Sequence, residues 1–169
     1  YINDGIPLVT SKNLVNGKID LSKAHMISKD DFDKINKRSK VDNGDILMPM
    51  IGTIGNPVIV DDINSQFAIK NVALIKSKNK YPNLIYIKSL LDSNLFKLYI
   101  KKISRGGTQK FLGLNDIRKF QIPILKFDSE KKVILIINKI NKLRKIYSSK
   151  IILQKKLIQS LQQQSFGIN

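Results

Sequence analysis

Apolar and polar positions alternate in short runs through the first half of the chain and later recur every three or four residues. Residues 5–9, GIPLV, read as a short strand entered through Gly5 and Pro7. The next stretch, SKNLVNGKID, holds Asn16-Gly17, a pair that favours a tight hairpin because both turn residues can take positive φ. Ser28 with Asp31 three residues on is a capping-box pattern and predicts a short helix over DDFDKINK. VDNGDILMPMIGTIGNPVIVDD then turns at Asn43-Gly44, extends through ILMPMI, turns over Gly52-Thr53-Ile54-Gly55 and extends through PVIV. Pro49 lacks a backbone donor, so it points to an edge strand or a bulge. FAIKNVALI, residues 67–75, predicts one more strand with its alternation broken at Lys70-Asn71.

Helical spacing begins after Pro82, where Leu84, Ile87 and Leu91 share one face and Leu95, Tyr99 and Ile103 continue it. Asp92-Ser93-Asn94 divides the run into two helices, with Ser93 as a cap. SRGGTQKFLGLNDIRKFQIPIL follows, residues 104–125, with Gly106-Gly107 supplying backbone angles that side chains forbid and Pro123 closing a strand-like run. From Ser129 to Phe166 there is neither glycine nor proline. Ile136, Ile140, Leu143, Tyr147, Ile151, Ile158 and Leu161 recur there as a seam, with the polar Gln154 in its path. A helix of ~38 residues would be roughly 57 Å long, which reads as a coiled-coil arm whose seam needs a partner helix. The predicted class is therefore α+β: a β-rich domain with short helices over residues 1–125, then a long coiled-coil-forming helix over 126–169.

Charge changes the picture more than length does. The 169 residues hold 30 Lys and Arg against 13 Asp and Glu, a formal net charge of +17, which favours a polyanionic partner. Residues 1–125 carry 20 bases against 11 acids and residues 126–169 carry 10 against 2, so the arm is the denser positive element. With no cysteine there is no disulfide framework, thiolate metal site or thiol nucleophile, as expected in the cytoplasm. No apolar run reaches the ~20 residues that span a bilayer, so no membrane partner is expected. The opening on Tyr1 rather than Met reads as a fragment of a longer chain.

No catalytic constellation emerges, and neither a metal nor a cofactor is expected. His25 lies between Lys23-Ala24 and Met26, a setting that suggests surface or core filler rather than catalysis. The glycines at 52 and 55 lack the Gly-Lys-Ser/Thr of a phosphate loop. Asn56-Pro57-Val58-Ile59 begins like the Asn-Pro-Pro-Tyr of adenine methyltransferases but lacks the second proline and the aromatic that stacks on a flipped base.

Three signatures stand in order: GIPLVTSKNLVNGKID; NGDILMPMIGTIGNPVIV with FAIKNVALI; and RGGTQKFLGLNDIRKFQIPIL running into the long helix. Together they resemble the target-recognition domain of type I restriction-modification specificity subunits, followed by one spacer helix. The resemblance implies a non-catalytic DNA-reading module. In that family two recognition domains read the halves of a bipartite target, and two antiparallel helices set the distance between them. Methylation and cleavage belong to separate modification and restriction subunits. The implied partners are double-stranded DNA, those two subunits, and a second spacer helix from the same subunit or a homodimer mate. The family's opening upstream of Gly5 is absent, and its Glu-Gln at the helix start is Glu130-Lys131 here.

The residue chemistry agrees. DNA recognition needs Lys and Arg on phosphates and a few polar side chains at base edges, Arg for guanine and Asn or Gln for adenine. The loops carrying these types give Lys12, Asn13, Lys70, Asn71, Arg105, Thr108, Gln109 and Lys110 as DNA-binding candidates. Thr108 and Gln109 recur in the family signature, which equally suits a role in the fold or in partner contact. A basic scaffold that assembles proteins or binds RNA through its arm is the rival reading, and the recognition domain of a fused methyltransferase is another.

Overall fold

Asn16 and Gly17 both take left-handed angles, φ 51° and 73°, and they join β2 (Leu14–Val15) to β3 (Lys18–Ile19) with Val15 facing Lys18. This is the predicted two-residue hairpin. The computed structural model describes residues 2–52, 54–61, 66–77, 82–103 and 111–166, with side chains of the last helix up to 163. The chain divides into two units, Tyr1–Lys126 and Phe127–Asn169.

Within the first unit, alternation along the strands builds layers. β1 (Ile6–Val9) pairs antiparallel with β4 (His25–Ile27) and parallel with β7 (Ala68–Ile69), Val9 facing Ile69. β5 (Ile46–Pro49) lies between β6 (Val58–Ile59) and β8 (Val72–Ile75), antiparallel to both. Successive side chains point to opposite faces, so Leu8 and Ala68 pack with Phe32 of helix α1 (Lys29–Ser39) on one side of the first sheet. Val9 and Ile69 face the other way and meet Leu47, Val60 and Val72 between the two sheets. Ile46, Met48 and Ala73 project from the far face of the second sheet. There they pack on Ile87 and Leu91 of α2 (Leu84–Leu91) and on Phe96 of α3 (Asn94–Ile103). A short α4 (Leu114–Lys119) completes the helical layer through Ile117. The order is helix, sheet, sheet, helices.

The helix starts follow their caps. Ser28 Oγ accepts from the Asp31 amide at 3.1 Å, and α1 starts one residue before the predicted segment and ends two residues after it. Asn83 Oδ1 accepts from the Ile85 amide at 2.8 Å, and the Ser93 carbonyl accepts from Lys97 at 3.2 Å as α3 begins.

Four expectations change. FAIKNVALI is two strands rather than one: β7 ends at Ile69, Asn71 turns at φ 58°, and β8 starts in the other sheet. Pro49 is not on an edge strand, because β5 is central. Yet Pro49 sits beyond the residues that β6 pairs, Ile46 and Leu47, so its missing donor breaks no bond on that side. The inward face of α3 is Phe96, Tyr99 and Ile100, while Leu95 is 55% exposed and Ile103 also reaches solvent. The break at Asp92 and Ser93 restarts the helical phase, and the bulky Phe96 takes the core position. Residues 121–126 form no strand; they are held instead by Tyr86, whose hydroxyl donates to the Pro123 carbonyl at 2.9 Å.

A charged clasp closes the entry to β5. Lys76 Nζ binds both Asp42 and the buried Asp45, and Asp45 Oδ2 also accepts from the Asp42 amide at 2.7 Å. The hydrogen bonds from Lys76 and then Lys40 hold the Asp42 carboxyl below its ordinary 3.8. Burial works against the Lys76 charge, but the bonds to Asp45 and Asp42 outweigh it and raise its pKa. A lowered folded-state value means that the Asp42 contribution is complete above about pH 4 and fades as pH falls through it. The raised Lys76 value means that its contribution is complete below 10.5, neutral pH included, and is lost only as pH rises beyond that. Lys76→Met should therefore lower Tm near neutrality by an amount that shrinks on acidification below pH 4, as thermal melts of both proteins would read.

In the second unit α5 (Phe127–Phe166) is one unbroken helix of 40 residues, about 60 Å long. Asp128 and Glu130 occupy its first turn, where the helix dipole favours negative charge, and Lys131 lies over the Phe127 ring at 4.2 Å. Ile136, Ile140, Leu143, Tyr147, Ile151, Ile158 and Leu161 are each between 43% and 62% exposed.

Candidate nucleic-acid interface

Parallel strands end on the same side, so the β1–β7 pair delivers two loops to one place: the 3-10 turn Ser11–Asn13 after β1, and Lys70-Asn71 after β7. Two hydrogen bonds fasten these loops. The Lys70 amide donates to the Val9 carbonyl at 2.9 Å, and Ser11 Oγ donates to the Asn71 carbonyl at 3.3 Å. Lys12 and Lys70, 58 positions apart, thus stand on neighbouring loops, both exposed. Neither has an acidic partner among the described residues. Ammonium groups of this kind, exposed and without an acidic partner, suit an anion such as phosphate.

Asn13 plays a different part from its neighbour. It is buried, its Oδ1 accepts from the Thr10 amide and hydroxyl at 2.9 and 3.0 Å, and its Nδ2 donates to the Asp20 carbonyl at 3.1 Å. Both ends of the amide are therefore engaged in shaping the turn that carries Lys12. Asp20 is itself fixed by Ser22, whose hydroxyl and amide donate to Oδ1 at 2.6 and 2.9 Å and lower the carboxyl's pKa. Of the first four candidates, then, Lys12, Lys70 and Asn71 share an exposed edge and Asn13 supports it from below.

Arg105, Thr108, Gln109 and Lys110 lie outside the described residues. Beyond them, Phe111 bridges to Ile51 and the Leu112 amide donates to the Met50 carbonyl at 2.9 Å. In the turn at 52–55, Gly52 and Gly55 have φ 77° and 90°, values that suit a turn; Thr53 is outside the described residues.

Sequence reasoning missed Ser11, whose hydroxyl ties loops 60 residues apart. No local pattern marks it, because the contact exists only once β1 and β7 are parallel neighbours.

A cavity of about 320 Å³ opens between β8, α2 and α4, walled by Ala73, Ile75, Ile87, Leu91 and Phe120, with Lys76 and Arg118 also lining it. Its lining holds no carboxylate, thiol or imidazole. Among the described residues no three His, Cys, Asp or Glu gather where they could hold a metal ion. None of the described helices is long and apolar enough to cross a membrane.

No protein-family model matches the chain. It is 31% identical over 134 residues, 79% of its length, to the type I restriction enzyme EcoBI specificity subunit of Escherichia coli. The match covers 28% of that relative's length. This likeness supports the specificity-subunit family.

Proposed function

We propose that the chain recognises DNA sequence as part of a type I restriction-modification specificity subunit. It would direct a methyltransferase subunit and an endonuclease subunit to a bipartite target, with no catalytic role of its own. The observation that carries this reading is the 31% identity to a specificity subunit over most of the chain. The paired loops with Lys12, Lys70 and Asn71 are consistent with it, as is the net charge of +17. In this reading residues 1–125 form the target-recognition domain. Helix α5 is the spacer, its exposed seam covered by a second helix of the same kind, from the same subunit or from a second copy. Arg105 and Lys110 join Lys12 and Lys70 on phosphates, and Gln109 and Thr108 lie close to the DNA.

Binding to duplexes of random and selected sequence, measured with the modification subunit present, tests the proposal. One selected sequence should bind about 10³-fold or more tighter than scrambled duplex. Removing Lys12 or Lys70 should weaken every duplex alike and flatten the salt dependence by about one unit of slope each. Equal affinity for all duplexes would refute the proposal. Loss of function on reversing arm lysines, with no effect at Lys12, Lys70, Arg105 or Lys110, would favour a basic scaffold instead.

A further inference from the structure

Asn71 differs from the other groups on its edge in how firmly its backbone is held. On one side Ile69 is paired to Val9 and the Lys70 amide is bonded to the Val9 carbonyl. On the other, Val72 is paired to Pro49 in the second sheet. Its own carbonyl accepts from Ser11 Oγ. The residue is thus a fixed link between two sheets. Its side chain is exposed and makes no hydrogen bond to any described residue. Side chains that read bases must be held to well under an ångström by their support, and a pinned backbone removes most of the ordering cost that a mobile loop would carry.

The neighbours narrow the role further. Ser11 has its hydroxyl engaged with Asn71, and the Asn13 amide is buried and bonded. Lys12 and Lys70 offer donors only, which suit phosphate or guanine and lack the acceptor that complements the adenine N6 donor. Among the described residues of these two loops that leaves one carboxamide, on the same edge as two cations. A carboxamide offers an N–H donor beside a carbonyl acceptor. In the major groove adenine alone shows the complement on a single base, its N6 donor beside its N7 acceptor. We infer that Asn71 is a specificity-determining residue that reads one adenine in the major groove, with Lys12 and Lys70 holding phosphates on either side. The inference rests on the DNA-recognition reading above.

The left-handed φ of 58° has an ordinary explanation as well, since asparagine tolerates that region better than most residues. Asn71→Gly separates the two: glycine keeps the turn and removes only the carboxamide. The full specificity complex carrying Asn71→Gly should accept any base pair at one position of its target. The cognate-to-relaxed affinity ratio should fall there about 10- to 100-fold. Replacing that adenine by 7-deazaadenine, which deletes N7 but keeps Watson–Crick pairing, should weaken the wild-type complex and leave the variant's affinity unaltered. Asn71→Asp, of the same size and tolerant of the same backbone, should lose the adenine preference too, so the test survives if the glycine variant folds poorly. An unchanged target with Asn71→Gly overturns the inference, and so does an equal loss on cognate and scrambled duplexes. A wild-type complex with no preferred sequence would instead sink the parent reading.

Discussion

Phe96→Ala is expected to destabilise the 1–126 unit by about 3–5 kcal/mol, the range for emptying a fully buried aromatic site. Phe96 is 0% exposed and stands where the second sheet meets the helices, among Ile46, Met48, Leu91 and Leu112. Its ring meets Phe120 edge-on at 4.8 Å and lies 6.2 Å from Tyr99. Tyr99 in turn packs on Phe120 at 5.2 Å and donates its hydroxyl to the Asp116 carbonyl at 2.7 Å. These contacts join α3, α4 and the segment leading out of the unit, so a cavity there cannot close by the shift of a single side chain. Tm should fall by roughly 10 °C or more. Leu95→Ala, one residue away on the exposed face, should change stability by about 0.5 kcal/mol or less. Paired melts of these variants decide between the observed inward face and the one that sequence spacing suggests: a larger loss at Leu95 would reverse it.

The second large effect concerns α5. A helix with seven half-exposed apolar side chains in a line is not at its lowest free energy in water, and each gains about 1 kcal/mol when the exposed half is covered. Leu143→Asp with Ile151→Asp removes two of these gains and places charge in the seam. Pairing with a second helix should weaken roughly 100-fold or more, since each 1.4 kcal/mol is a factor of ten. Sedimentation and helical circular dichroism of the full chain would show loss of the assembled species and earlier melting of the arm. The melting of the sheets should stay where it was. An association unchanged by both aspartates would remove the seam from the account.

Local chemistry was the legible part of this chain. Asn16-Gly17, Ser28 and Ser93 act within a few residues of themselves, and the structure places a turn or a helix start at each. The absence of glycine and proline between 129 and 166, with apolar residues at helical spacing, likewise predicts a long helix, and the mixed α+β class follows from the two kinds of periodicity. What the pattern could not supply was pairing at long range. Nothing local to GIPLV or FAIKNVALI says that β1 and β7 run parallel, or that the chain changes sheets at Asn71. The candidate interface shows the same division. Lys12, Lys70 and Asn71 are recognisable as polar loop residues, but that they share an edge depends on that parallel pairing. Asn13 looks equivalent to Asn71 in sequence, yet burial and three hydrogen bonds assign it to the fold.

The most direct measurement is a map of methylated bases in the DNA of cells carrying the complete complex, with and without the gene for this chain. DNA sequence recognition predicts a single bipartite motif that vanishes when the gene is deleted and changes at one adenine with Asn71→Gly. Methylation that persists unchanged without the gene, or that follows no motif when it is present, would contradict it.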